Sequence, residues 1–321
     1  MSSSSDWKSG RMGTPDLREK RNQWLTALSG EDCHAILNQL TLMSWNCASF
    51  RVVNEARGLA PPAPDGGVQV NGLMHLLINR LFFDNQIISI RRLMDPSPLE
   101  GKRSVYSLAS LLNEIQENRH LLTRGAIFAA EGLVYDYEPI RQRALEYVKE
   151  RTAAGETAFL MPEDLAWDRH EDRHVQIDAL AGASPENRRP CDIISEKVFT
   201  NLLRRAEKAS GKIADRASKF VAHPATPESR ALVKADVTLK QLWEAHQCLC
   251  EVAGFLAIYV LGGSCGPFLP NPTFDQFLYI DKPLVESSQV AQLQQIWIDF
   301  DKDCREWSQW GLNAYAKEFG G

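Results

Sequence analysis

Thr238-Leu-Lys-Gln-Leu-Trp-Glu-Ala-His-Gln-Cys-Leu-Cys-Glu-Val-Ala-Gly-Phe-Leu-Ala-Ile-Tyr-Val-Leu-Gly-Gly263 is the stretch on which the fold turns. Thr238 stands where an N-cap belongs, and Leu242, Leu249, Val252, Phe255 and Leu256 recur at helical spacing. This predicts one strongly apolar helix with that line as its core face, closed by Gly262-Gly263. Its apolar run, Val252 to Leu261, falls far short of the ~20 residues that a membrane span requires. The helix therefore belongs inside a protein core, and no membrane association is expected.

The same spacing recurs along the chain, while period-two alternation of β-branched residues is scarce, so the fold class expected is all-α. Upstream lies a basic amphipathic stretch from about Asp192 to Ala222, broken by Pro224 and Pro227. Further helices are expected near 161–180, 136–154 and 123–133. A helix that Ser104 can cap carries Leu108, Leu111, Leu112 and Ile115 on one face. A long helix from about Val68 to Met94 stops at Asp95-Pro96-Ser97-Pro98. The Pro/Gly-rich turn 59–67 precedes it, and residues 14–57 read as one or two helices interrupted near Gly30. Downstream, residues 266–286 read as an ordered crossing segment or lid. A final helix, about Ser288 to Phe319, places Trp297, Trp307 and Trp310 on nearly one face, the pattern of a core seam. Three regions result: a disordered N-terminus (1–13), a helical bundle (14–265), and a crossing segment with a C-terminal helix packed on the bundle (266–321).

The 321 residues are 44% hydrophobic, enough for a large core that needs no staples. Met1 to Asp6 is serine-rich without a basic start or an apolar run, which is not the pattern of a secretory leader. Seven cysteines, an odd number set mostly in apolar helical patterns, fit free thiols in a reducing cytosol, so a cytoplasmic location is expected. The formal charge of −5 excludes a uniformly basic nucleic-acid-binding domain. From Arg188 to Lys219, however, nine basic side chains stand against four acidic ones. Read alone, that segment is a solvated helix surface laced with ion pairs.

Two constellations carry candidate chemistry. His170-Glu171-Asp172-Arg173-His174 spells the H-E-x-x-H of zinc hydrolases, in which two histidines one turn apart hold the metal and the glutamate activates water. Asp168, Arg169, Asp172 and Arg173 charge this helix on most sides, which makes it read as a solvated polar helix. Glu196 is a third-ligand candidate, but no metal or cofactor is expected. The second is Asp215-Arg216-Ala217-Ser218-Lys219-Phe220-Val221-Ala222-His223. At 100° per residue Arg216 and His223 lie within about 20° of each other and roughly 10 Å apart along the axis, with Lys219 flanking them. Pro224 leaves His223 at the helix C-terminus, where the dipole favours its protonated form. Cleaving RNA without a metal needs a base for the 2′-hydroxyl, an acid for the leaving 5′-oxygen and a cation for the crowded phosphorane. The plainer alternative pairs Arg216 with a neighbouring carboxylate and leaves His223 capping the helix end.

The order of these elements resembles the HEPN superfamily, specifically its AbiU-like branch associated with abortive phage infection. The resemblance rests on Arg216 and His223 enclosing six residues, and on Ile90-Arg91-Arg92-Leu93-Met94-Asp95 before a Ser-x-x-x-Leu-Leu-type helix. It also rests on Arg173-His174-x-x-x-Asp178 before a Gly-Ala-Ser-Pro turn, on Lys219-Phe220-Val221-Ala222-His223, and on Val237-Thr238-Leu239-Lys240-Gln241-Leu242-Trp243. It covers about residues 68 to 260. It implies an elongated-helix bundle with additional N- and C-terminal helices, working as a dimeric, metal-independent endoribonuclease with a toxin or antiviral role. Arg216 and His223 would then be catalytic, Lys219 would bind the RNA substrate, and an antitoxin or regulatory protein would be a further partner. Where active members carry a polar residue directly after the arginine, this chain has Ala217. Many relatives are inactive, and a catalytically silent dimerisation module is the alternative that the resemblance implies.

Overall fold

The computed structural model describes residues 16–64, 66–157, 165–221, 225–231, 236–283 and 285–308. The elements run α1 Leu17–Ser29, α2 Ile36–Leu59, α3 Gly72–Leu93, α4 Leu108–Glu117, α5 Arg124–Glu131 and α6 Glu138–Ala153. They continue with α7 Trp167–Ala181, α8 Glu196–Arg216, the short α9 Pro227–Arg230, α10 Leu239–Phe255 and α11 Val290–Ser308. Among the described residues there is no strand, only the isolated bridges Pro62–Val68 and Thr123–Ile193. The fold is an all-α helical bundle, as the periodicity predicts. No helix among the described residues is long and apolar enough to cross a membrane. Residues 1–13, expected to be disordered, lie outside the described residues.

Two compact units divide the chain, Met1–Pro270 and Asn271–Gly321. The first extends past the expected boundary at 265 because Cys265 and Phe268 pack against its core. Within it α10 is central: Leu242, Ala245, His246, Leu249, Val252 and Ala253 are buried, and the helix packs on α2, α3 and α8. Its start is fixed by a full capping box, in which the Thr238 hydroxyl accepts from Gln241 N at 3.2 Å and Gln241 Oε1 accepts from Thr238 N at 2.9 Å. After α10 the chain makes a π-helical turn, Leu256–Val260, and leaves the helix at Gly262 with φ +58°. A side chain at Gly262 would be strained in this left-handed conformation and would collide with the Glu131 carboxylate.

Local chemistry explains the other boundaries. Ser107, not Ser104, caps α4, accepting from Ser110 N at 3.0 Å. Ser104 is taken up by the preceding turn, where its N–H donates to Gly101 O at 3.2 Å. Phe50 and Phe82 stack at 4.0 Å and join α2 to α3. Helix α8 is capped by Ser195, buries Phe199, Ala206, Ser210 and Ile213, and packs against α3, α4 and α10. It then widens into a second π-helical turn, Ala217–Val221, which packs against α3.

The second unit contains α11, preceded by a capping box of Glu286 and Gln289. The core seam expected of its tryptophans is not seen at Trp297, which is 65% exposed. Trp310 and the side chain of Trp307 lie outside the described residues.

Candidate functional site

Arg216 is the last α-helical residue of α8, and its guanidinium stays at the surface with the side chain 27% exposed. Its Nη1 donates to Asp236 Oδ1 at 2.8 Å, and its Cζ lies 4.4 Å from the centroid of the Phe220 ring. The Asp236 side chain is 91% exposed, so this ion pair is worth at most about 1 kcal/mol and readily exchanges for another anion. A second guanidinium, that of Arg230 on α9, sits 6.0 Å from the same ring. Lys219 Nζ donates to Ser229 Oγ at 2.9 Å, and among the described residues it has no carboxylate partner. Arg216 and Arg230 therefore meet at Phe220, which holds the two guanidinium groups by cation–π attraction, and Lys219 reaches Ser229, the residue before Arg230.

His223 lies outside the described residues. The expected near-alignment of Arg216 with position 223 lies outside the described residues as well; between the two, Ala217–Val221 form a π-helical turn. Such wide turns are frequent at functional sites because they re-aim side chains. Ala217 is fully buried, so the position after the arginine faces the core here. The polar neighbour on this turn is Ser218, whose Oγ accepts from Arg91 Nε at 3.3 Å.

The H-E-x-x-H string has a different occupation from the two readings weighed for it. Helix α7 is not solvated all round: Arg173, His174 and Asp178 are buried. Nor is His174 open to a metal. Its Nε2–H donates to Tyr135 O at 2.8 Å and its Nδ1 accepts from Arg124 Nη1 at 3.1 Å, which uses both ring nitrogens. His170 Nδ1 accepts from Val134 N at 3.1 Å, and Glu171 accepts from the Tyr137 hydroxyl at 3.2 Å. Among the described residues no three His, Cys, Asp or Glu side chains converge to hold a metal.

Around His174 the interior holds a closed ionic network. Arg124, fully buried, donates to Asp178 Oδ1 at 2.7 Å and through Nε to Asp192 Oδ2 at 3.0 Å. Arg188 donates to Asp178 Oδ2 at 2.7 Å through Nη2 and 3.0 Å through Nε, and its Nε also reaches Oδ1 at 3.2 Å. Two guanidinium groups thus face two carboxylates around a neutral imidazole. Burial works against the Asp178 anion, but hydrogen bonds from Arg188 and Arg124 outweigh it and hold the carboxyl below its ordinary range. Arg173 grips Glu131 in a second buried pair, at 2.6 and 2.9 Å, and donates to Tyr259 O at 2.7 Å. Arg21 Nε adds a bond to Leu261 O at 2.7 Å, so two guanidinium groups serve the carbonyl end of the α10 segment.

No protein-family model, curated protein or solved structure matches the chain at a significant level. Sequence reasoning located Arg216 and Lys219 but not Phe220, Ser229, Arg230 or Asp236, which come together across the segment between α8 and α10. Two arginines and an aromatic close to a proline-broken basic helix were the available signal.

Burial pushes His174 below its ordinary value, and burial does the same to His246, which lies against Leu40 O on α2. Both imidazoles are held neutral in the fold and ionise more easily once unfolded. Their contribution to stability is full above the unfolded value of about 6.5 and is lost as pH falls through the depressed folded values. The urea midpoint should be flat from pH 8 to about 7 and decline on acidification from about pH 6.5. A midpoint unchanged down to pH 5 would contradict the neutral assignment of both rings.

Proposed function

We propose that this chain is a HEPN-type, metal-independent endoribonuclease. Arg216 is the cation at the transition state, His223 the acid or base, and Lys219 a phosphate-positioning group. The observation that carries the reading is the guanidinium of Arg216, backed by the Phe220 ring and, among the described residues, paired with an exposed carboxylate that an RNA phosphate can displace. In the reaction the 2′-oxygen attacks the adjacent phosphorus, its proton passes to a base, and the 5′-oxygen leaves with a proton from an acid. The products are a 2′,3′-cyclic phosphate and a 5′-hydroxyl. One His223 cannot serve both sides of an in-line displacement, so a second copy of the chain supplies the other.

An exposed apolar stripe supports pairing of two copies. On α3, Leu73, Leu76, Leu77 and Leu81 are 56%, 69%, 48% and 59% exposed and recur at the spacing of one helix face. This helix also packs against the π-helical turn after Arg216. Light scattering should give twice the chain mass for the native protein and one chain mass for Leu76→Glu/Leu77→Glu with its helical circular dichroism retained. A native protein that is monomeric at tens of micromolar would end the two-copy proposal.

The same stripe favours a second reading, a silent dimerisation module, in an RNA context or with a regulatory protein partner such as an antitoxin. Incubation with labelled single-stranded RNA in EDTA separates the two. Cleavage that is lost in Arg216→Ala and His223→Ala supports the nuclease; no cleavage by the native dimer supports the module.

A further inference from the structure

Arg204, Lys208, Lys212 and Arg216 stand four residues apart along α8, so each cation follows the last by one helical turn, about 6 Å of rise. At 100° per residue the four fall within an arc of about 120°. Arg204, Lys208 and Lys212 are exposed, and none of the three has a carboxylate partner among the described residues. Their neighbour Arg205 is different, since it is neutralised by Glu251 on α10. Of the α8 carboxylates only Asp215 shares the arc, while Glu196 and Glu207 line a pocket facing α4 that Arg204 also lines.

Beside Lys208 and Lys212 a groove of about 400 Å³ runs between α8 and α10. Arg205, Ala209 and Ile213 line its α8 wall and Gln241, Glu244 and Cys248 its α10 wall, with Lys208 and Lys212 beside them. The Glu244 carboxylate is paired with Lys240 at 3.7 Å. A partly apolar groove with cations one helical turn apart along it suits a strand whose bases or sugars enter the groove while its phosphates follow the cations. In a chain of net charge −5 this row is where a polyanion is drawn. Its last member is Arg216, which lies over the ring of the partly exposed Phe220.

We propose that Arg204, Lys208 and Lys212 form a phosphate ladder that binds single-stranded RNA along α8 and feeds it to Arg216. Only the direction of feeding rests on the nuclease reading; binding stands apart from it. The test is fluorescence anisotropy with a labelled 12-nucleotide single-stranded RNA in EDTA, at several salt concentrations. It compares the full-length protein with Lys208→Gln/Lys212→Gln, and uses Lys149→Gln on α6 as a control. Glutamine keeps the helix propensity of lysine, and circular dichroism checks the fold.

The ladder variant should bind about tenfold more weakly at 0.1 M salt. Its log–log salt slope should fall by about 1.4, which is about 0.7 for each lost phosphate contact. The control should match the native protein. A native protein that does not bind the RNA, or that binds anionic lipid vesicles or an acidic peptide in its place, overturns the ladder, as does a ladder variant with native affinity and slope. RNA bound through the ladder but never cut keeps this proposal and removes the nuclease reading. RNA cut by the ladder variant with unchanged KM does the reverse.

Discussion

Arg124→Met should destabilise the protein by about 3–5 kcal/mol, more than any other single substitution considered for this fold. The arginine is 0% exposed and donates to Asp178, Asp192, the ring of His174 and the carbonyl of the same residue. Methionine fills similar volume, so the loss is electrostatic: Asp192 is left without its ion pair and Asp178 with Arg188 alone. A buried charge stripped of its partner costs far more than the intact pair contributes. The effect should appear as a lower urea midpoint with an unchanged slope. Adding Asp192→Asn to Arg124→Met should recover part of the loss, since it removes the orphaned anion. A single-variant loss below about 1 kcal/mol would mean that the network is not the electrostatic centre of the bundle.

The second large effect concerns chemistry. Removing the guanidinium in Arg216→Ala should lower RNA cleavage by about 100- to 1,000-fold, the usual cost of deleting one transition-state donor. Stability should move little, because the Arg216–Asp236 pair sits at the surface. Arg216→Lys should fall between the two: it keeps the charge but gives up the planar, two-pronged geometry and the stacking on Phe220. If Arg216→Ala retains native cleavage, the cation at the transition state is another group, and Arg230, on the same ring, is the first to examine.

Helical periodicity made the bundle legible because it reports burial directly. The Thr238 cap and the stop at Gly262 follow from local residue chemistry. What periodicity does not report is a polar residue turned inward. Asp168 to Arg173 read as a solvated surface, yet Arg173, His174 and Asp178 are buried because Glu131, Arg124 and Arg188, supplied by other segments, satisfy them. The spacing of His174 and Asp178 around Ile177 was a trace of that inward face. The candidate site divides in the same way. Arg216 and Lys219 are local to α8 and its extension and could be found; Arg230 and Asp236 reach them only through the fold. The π-helical turn at Ala217–Val221 leaves no mark in a hydrophobic pattern.

The chemical ends of the cut RNA test the central claim most directly. After incubation of native protein with single-stranded RNA in EDTA, the account predicts fragments ending in 2′,3′-cyclic phosphate paired with fragments beginning in 5′-hydroxyl, and none from Arg216→Ala. Fragments beginning in 5′-phosphate, or the same ends from Arg216→Ala in equal yield, would contradict it.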